Sequence, residues 1–377
     1  MSEPRRPGLR ERLWWSTSPS AGDRFLAAPL LLAEGIFRAV AAGRGALYDA
    51  GVLPAARAGV PVVSVGNLAV GGAGKTPVAL AIAGRLVGLG RRPAVLSRGY
   101  GAARSDDRVV SDGERLLLDA AGGGDEPVQM ARRVPGLRVL CGADRARLAP
   151  RAVALGADVL LLDDGFQHRR LARDLDVVVL DASNPWGNGH CLPAGPNREP
   201  RSALGRAGLV WLTHADRATS PALDALRDLA VRTTGRPPVE SRHAPRDLAD
   251  GPLARVFPLS DLAGRRVGIL SGVARPGSVR RTVESLGAAV VATFAFPDHH
   301  RFAEAEVAAA LEAAGKAGAE LLVTTEKDAV RLPVGVAGDQ RIRVVRIDVE
   351  VLRGDEVLGE ALDAALGGAV PGRGKAG

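Results

Sequence analysis

Lys75 and Thr76 close the stretch AVGGAGKT (69–76), which follows the apolar run PVVSVGN (61–67). A glycine-rich turn between a buried strand and a helix aims successive backbone N–H groups and a helix N-terminus at one point, which suits a phosphate chain. In such a loop Lys75 reaches the β- and γ-phosphates of a nucleoside triphosphate, and the Thr76 hydroxyl ligates magnesium. Ala69 stands where the strict GxxxxGK[ST] pattern has glycine. The remaining loop residues, Val70, Gly71, Gly72, Ala73 and Gly74, still supply three glycines for close backbone approach. The second element of this chemistry is VLLLDD (159–164), an apolar run ending in Asp163 and Asp164. An acid at such a strand end holds magnesium in P-loop proteins.

Other groups suit the substrate of a phosphoryl transfer. GFQHRR (165–170) places Gln167, His168, Arg169 and Arg170 in one loop after the aspartates, fitted to an anionic substrate. GNGHCLPAGPNREP (187–200) ends in Arg198, a candidate charge stabiliser, and Glu199, a candidate further magnesium ligand. A proton must also leave the acceptor. Asp125 and Glu126 follow three glycines at a predicted helix start, where acids serve equally as caps. FPDHHRF (296–302) sets Asp298, His299 and His300 side by side. A carboxylate polarised by histidine is a base for an alcohol, and the same residues also make an ordinary turn.

The elements that must position these groups read as α/β. Short apolar runs alternate with helical patterns, which predicts a mainly parallel sheet flanked by helices. Strands are expected at 61–67, 92–99, 136–142, 157–164, 175–182 and 208–213, with helices over 75–89, 125–134, 145–155 and 220–231. Residues 232–257, rich in proline, glycine and charge, read as a linker. A second, smaller α/β unit follows, with strands at 265–270, 288–296, 319–325 and 341–349 and helices at 276–286 and 303–317. The expected organisation is an N-terminal amphipathic segment over 1–50, a P-loop kinase domain over 51–231, the linker, a C-terminal domain over 258–366 and a flexible tail over 367–377.

Composition narrows the class. The chain has 377 residues and a formal charge of +8, which favours anionic partners without choosing among them. Only Lys75, Lys316, Lys327 and Lys375 are lysines, and no module of a familiar nucleic-acid-binding kind appears. No nucleic-acid partner is therefore expected. Cys141 and Cys191 form no CxxC pair and are expected to be reduced and structural. The stretch FLAAPLLLAEGIFRAV (25–40) contains Pro29, Glu34 and Arg38, which argues against a spanning helix. With Trp14, Trp15 and the arginines before it, it suits a segment lying in a membrane interface or docked on its own domain.

The motifs SVGNLAVGGAGKTPV, SRGYG, GDEPVQMARR, DDGFQHRRLARDLDVVVLDA, LPAGPNREP, GVARPGSV, FPDHHRF and TTEKDAVRL together resemble the tetraacyldisaccharide 4′-kinase (lipid A 4′-kinase) family, up to about residue 350. The resemblance implies transfer of the γ-phosphate of ATP to the 4′-hydroxyl of a tetraacylated glucosamine disaccharide 1-phosphate, giving lipid IVA. It implies peripheral attachment to the cytoplasmic face of the inner membrane, with no obligate protein partner. By matching position, 69–76 is the ATP loop and Asp125 the catalytic aspartate, paired with His299 from the other domain. Thr76, Asp163, Asp164 and Glu199 manage Mg²⁺, and Glu126, His168 and Arg198 support them. The reading from a different class is a nucleotide-switched, membrane-associated ATPase acting through a protein partner, which needs no base at Asp125 or His299.

Overall fold

The computed structural model describes residues 9–15, 21–99, 106–273 and 276–367, the side chains of 9–11, 21–27 and 276 aside. The expected flexible tail lies, beyond Gly367, outside the described residues. Two helices, α1 (Leu9–Trp15) and α2 (Ala21–Asp49), precede the sheet. The first part of the chain then runs β1 (Val62–Gly66), α3 (Lys75–Gly88), β2 (Pro93–Ser97), β3 (Arg108–Asp112), α4 (Ala120–Gly123), α5 (Asp125–Arg133), β4 (Arg138–Cys141), α6 (Arg145–Ala154), β5 (Val159–Asp163), β6 (Leu175–Asp181), β7 (Leu209–Thr213) and α7 (Ser220–Thr234). The second part runs β8 (Val239–Ala249), β9 (Val256–Phe257), β10 (Arg266–Ser271), α8 (Pro276–Ser285), β11 (Ala289–Ala295), α9 (Glu304–Lys316), β12 (Leu321–Thr325), α10 (Glu326–Ala329), α11 (Val334–Ala337), β13 (Ile342–Arg353) and α12 (Asp355–Ala365).

The strands join in the order β11-β10-β12-β13-β8-β7-β6-β1-β5-β2-β4-β3, with β9 beside β8. Pairing is parallel except at β13–β8, β3–β4 and β8–β9. β1, β2, β5 and β7 are buried along their whole length, as strands covered on both faces must be. β1 lies between β5 and β6, where the chain order of the sheet reverses. The carboxyl ends of these strands open the crevice at which α/β proteins hold ligands.

Two of the expected boundaries change. The stretch read as a linker contains β8, an 11-residue strand whose partner is β13. Its arginines and prolines hide the pattern, because only its ends are fully buried. At its start Val239 pairs with Trp211 of β7, and at its end Ala249 pairs with Val344 of β13. β8 and β13 therefore form an antiparallel ribbon that belongs to both halves of the sheet. Beyond it α12, expected within the C-terminal domain, buries Leu358, Ala361 and Leu362 in the same core cluster as Ile82 and Leu86 of α3. Below we call the two halves lobes, the first around β1–β7 and the second around β10–β12.

Candidate active site

The glycine-rich loop expected to hold phosphate leaves β1 and ends at Gly74, which caps α3 with φ +80. Its rim is held by neighbours. Val70 N–H donates to the Pro196 carbonyl at 2.7 Å, the Thr213 hydroxyl donates to the Ala73 carbonyl at 2.8 Å, and Arg198 N–H donates to the Leu68 carbonyl at 2.6 Å. The loop 187–200 is thus drawn against residues 68–70.

Beside it Lys75 Nζ lies 3.6 Å from Asp164 Oδ1, and Arg198 donates to both oxygens of Asp164 at 2.8 Å. Burial pushes the Asp164 carboxyl up, but Lys75 and Arg198 outweigh it and hold the group below the usual range. Asp163, one residue earlier, accepts from the Ser97 hydroxyl at 3.2 Å. Burial, then the charges of Glu126 and Asp164, raise its carboxyl to about 7. Clustered carboxylates of this kind are hard oxygen donors with a charge that a divalent cation neutralises, so the residues fit Mg²⁺. Among the described residues no three acidic, histidine or cysteine side chains form a complete metal cage. Mg²⁺ needs none, since it is commonly held by one or two carboxylates with phosphate and water.

Asp125 opens α5 and is buried. Its Oδ2 lies 3.0 Å from His299 Nδ1, a contact between the two lobes. Lys327 Nζ lies 3.3 Å from His299 Nε2, and Arg331 Nε lies 3.6 Å from Asp125 Oδ2. An ammonium can only donate, so Nε2 accepts and Nδ1 carries the proton offered to Asp125. Asp164 and His299 also share a backbone signature, φ +51 and +62. Such conformations are uncommon outside glycine and collect at functional sites.

A second set of contacts sutures α5 to α10. Arg133 donates to both oxygens of Glu326 at 3.1 and 3.0 Å, and Gln129 donates to Glu326 Oε2 at 3.1 Å. Arg133 also donates to Asp348 Oδ1 at 2.5 Å and to the Ile347 carbonyl at 3.2 Å. The Arg133 and Glu326 side chains are 2% and 6% exposed.

Not every expected site residue joins this crevice. Glu199 Oε2 accepts from Arg206 at 2.6 Å, which commits it to a neighbour other than the aspartates. Arg169 is spent on α2, donating to the Gly45 carbonyl at 3.0 Å and to Asp49 at 2.6 Å, with its guanidinium over the Tyr48 ring. Gln167 donates to the Asn67 carbonyl at 3.0 Å and lies 3.3 Å from Arg198, so it braces the loop. His168 lies 3.7 Å from Asp144. His300 turns away to Glu306 at 2.8 Å and stacks on Phe296. Lys327, Arg331, Arg133 and Glu326 carried no role in the sequence reading. All four lie in motifs that carry the family resemblance, TTEKDAVRL and GDEPVQMARR, which was the available signal.

The comparisons with known proteins follow this geometry. The family model for tetraacyldisaccharide-1-P 4′-kinase (LpxK) matches residues 26–367. This chain belongs to that family. It is 65% identical over 362 residues to the tetraacyldisaccharide 4′-kinase of Anaeromyxobacter sp. strain K, covering 95% of this chain and 96% of the relative. It is 43% identical over 331 residues to that of Syntrophus aciditrophicus, covering 85% and 88%. Its fold matches the crystal structure of the "apo" form of LpxK from Aquifex aeolicus in complex with ATP, with TM-score 0.75 and 29% identity, over 90% of this chain and 99% of that one.

Burial, then the charge of Arg145, holds His168 down to about 4. The folded protein then refuses a proton that the unfolded chain binds between pH 6.5 and 4, so this stability is present above pH 6.5 and lost as pH falls. Thermal melts of His168→Asn between pH 7 and 4.5 should show a flatter loss of stability than the wild type. Parallel curves would contradict the assignment.

Proposed function

We infer that this chain transfers the γ-phosphate of ATP to the 4′-hydroxyl of a tetraacylated glucosamine disaccharide 1-phosphate, forming lipid IVA in lipid A biosynthesis. Family membership over nearly the whole chain carries the activity. The 3.0 Å contact between Asp125 and His299 supports the reading of how it is done.

Phosphoryl transfer asks the protein for positioning and charge more than for covalent chemistry. Residues 69–76 bind the triphosphate, with Lys75 toward the terminal phosphates. Thr76, Asp163 and Asp164 would hold Mg²⁺, which would supply charge neutralisation to the phosphates. Arg198 is already tied to Asp164, and Lys75 exchanges that aspartate for phosphate oxygens. Glu199 is the least supported of the proposed ligands, since Arg206 holds it.

The acceptor oxygen attacks the γ-phosphorus, the bond to the β-phosphate oxygen breaks, and ADP leaves. Asp125 takes the hydroxyl proton. His299 keeps its own proton on Nδ1, aimed at that carboxylate, and so fixes which oxygen faces the acceptor. Lys327 and Arg331 add positive charge beside the developing phosphate ester. Asp125 and His299 come from different lobes, so the base is complete only where the lobes meet, which limits phosphate transfer to water. Glu126 adds its charge beside Asp163, and Gln167 braces the loop through Asn67 and Arg198.

The acceptor is a four-chain lipid, and each CH₂ drawn from the bilayer costs about 0.8 kcal/mol. The enzyme therefore goes to the membrane. No helix among the described residues is long and apolar enough to cross one. α2 exposes Leu32, Ile36 and Val40 to 78%, 66% and 66%, a stripe at helical spacing. Its other side is pinned: Glu34 accepts from Cys191 N–H at 2.7 Å and lies 2.8 Å from His190. Trp14 is not part of the stripe, because its indole N–H donates to the Pro193 carbonyl at 3.1 Å. We place the stripe on the cytoplasmic surface of the inner membrane.

Asp125→Asn should lower kcat by about 10²–10⁴-fold, the range for loss of a general base, while ADP affinity stays within about threefold. His299→Ala should follow in direction. A ³²P-transfer assay with Mg·ATP and the tetraacyl disaccharide phosphate measures both, and wild-type turnover in the pair would remove the proposed base. For the membrane surface, the triple change Leu32→Glu, Ile36→Glu and Val40→Glu should abolish co-sedimentation with anionic phospholipid vesicles. Undiminished co-sedimentation would assign attachment to another surface.

A further inference from the structure

Against the phosphate loop at Gly74, three titratable residues stand in a row that the transfer reaction does not use. Asp181 ends β6, His214 follows β7, and His243 lies within β8. Asp181 Oδ2 is 3.3 Å from His214 Nδ1, and His214 Nε2 is 2.8 Å from His243 Nδ1. The two rings meet edge to face, 4.3 Å between centroids. The far edge of His243 then meets the loop itself. A Cβ added to Gly74 would lie 2.8 Å from His243 Cε1 and 2.9 Å from Nε2, and 3.2 Å from Thr213 Cγ2. His214 is another non-glycine residue with positive φ, +52.

Ser183 donates from N–H at 3.0 Å and from its hydroxyl at 2.6 Å to Asp181 Oδ1, leaving Oδ2 toward His214. These bonds and His214 outweigh burial and hold the Asp181 carboxyl down to about 2. Asp181 faces His214 Nδ1 as a charge at 3.3 Å, and in the 2.8 Å contact between His214 and His243 one ring nitrogen donates to the other. The row ends at His243 Nε2, a buried atom with no hydrogen-bond partner, which faces Gly74. Burial, then His214, keeps His243 neutral, with its pKa near 4.

His243 belongs to the ribbon that joins the lobes, where its partner in register is Val349 of β13. Two residues earlier the Ser241 hydroxyl accepts from Trp211 Nε1 at 2.8 Å, stapling the start of the ribbon to β7. A contact with no spare room passes displacement on instead of absorbing it. We propose that Asp181, His214 and His243 form a positioning chain that holds the phosphate loop at Gly74 in its nucleotide-ready shape and ties that shape to the ribbon between the lobes. The chain touches neither phosphate nor acceptor; it acts through Gly74. The inference rests on the reading of residues 69–76 as the ATP site.

The test is binding of a fluorescent ADP analogue and steady-state kinetics on the full-length chain, for wild type, His243→Ala, His243→Asn, Arg242→Ala and Lys75→Ala. His243→Asn keeps a donor toward His214 but removes the atoms that face Gly74, and it serves if the alanine variant melts early. Both His243 variants should raise the analogue Kd and the KM for ATP about tenfold or more, as expected when a binding loop shifts by a fraction of an ångström. KM for the lipid acceptor should stay within about twofold. Arg242→Ala, next to His243 on β8, which removes an exposed 2.8 Å pair with Glu350 of β13, should leave both within about twofold. Wild-type nucleotide affinity in His243→Asn, or an equal rise in both KM values, would overturn the proposal. If Lys75→Ala also binds the analogue like wild type, the reading of the loop fails instead.

Discussion

The arrangement depends on a buried ion pair between lobes. Arg133 and Glu326 meet almost wholly out of water, and Arg133 also reaches the ribbon at Ile347 and Asp348. Desolvating two such charges costs several kcal/mol each, and the cost is met only where geometry is good and the remaining hydrogen-bond sites are filled. Here they are: Gln129 adds a donor to Glu326, and Arg133 makes bonds to four acceptor atoms. Such a pair is satisfied at one placement of α5 against α10 and leaves a buried charge unpaired at any slipped one, so it selects register. It also sets where α5 sits against α10, and therefore where Asp125 sits against His299.

Around that suture the sheet does the rest of the positioning. Three strand ends, those of β1, β5 and β2, bring the phosphate loop, the two aspartates and Ser97 to one crevice. The antiparallel ribbon then carries the second lobe around to meet α5 from outside. Positive φ outside glycine falls on Asp164, His299 and His214 in the candidate site and its surroundings, and also on Leu253. Aspartate and histidine are among the residues that tolerate that conformation best.

Much of this was legible in the residues. Nearly every parallel strand reads directly, because strands buried on both faces are continuous apolar runs. The glycine-rich turn between β1 and α3 and the aspartates at the end of β5 fall where the strand ends were expected. What the sequence hid has physical causes. β8 is exposed along its middle, so its composition is that of a loop, and it becomes a strand only because β13 pairs with it. β3 is an antiparallel edge strand of mixed burial and gave no apolar run. α12 has an amphipathic pattern that fits either lobe. Arg169 and Glu199 are the right residue types near the right place, yet local partners on α2 and at Arg206 claim them. Which of several nearby charges claims such a side chain has no signature in spacing.

The central claim, that the α5–α10 pair holds the lobes in register, can be measured as a distance. Nitroxides attached at Leu89→Cys and Lys316→Cys, one exposed site in each lobe, report lobe separation by pulsed electron paramagnetic resonance. The native cysteines stay in place, since both are buried and burial pushes the Cys141 thiol up to about 12. The wild type should give one narrow distance with Mg·ADP bound, and Glu326→Gln should add a longer, broader population under the same conditions. A distribution in Glu326→Gln as narrow as the wild type's would contradict the account.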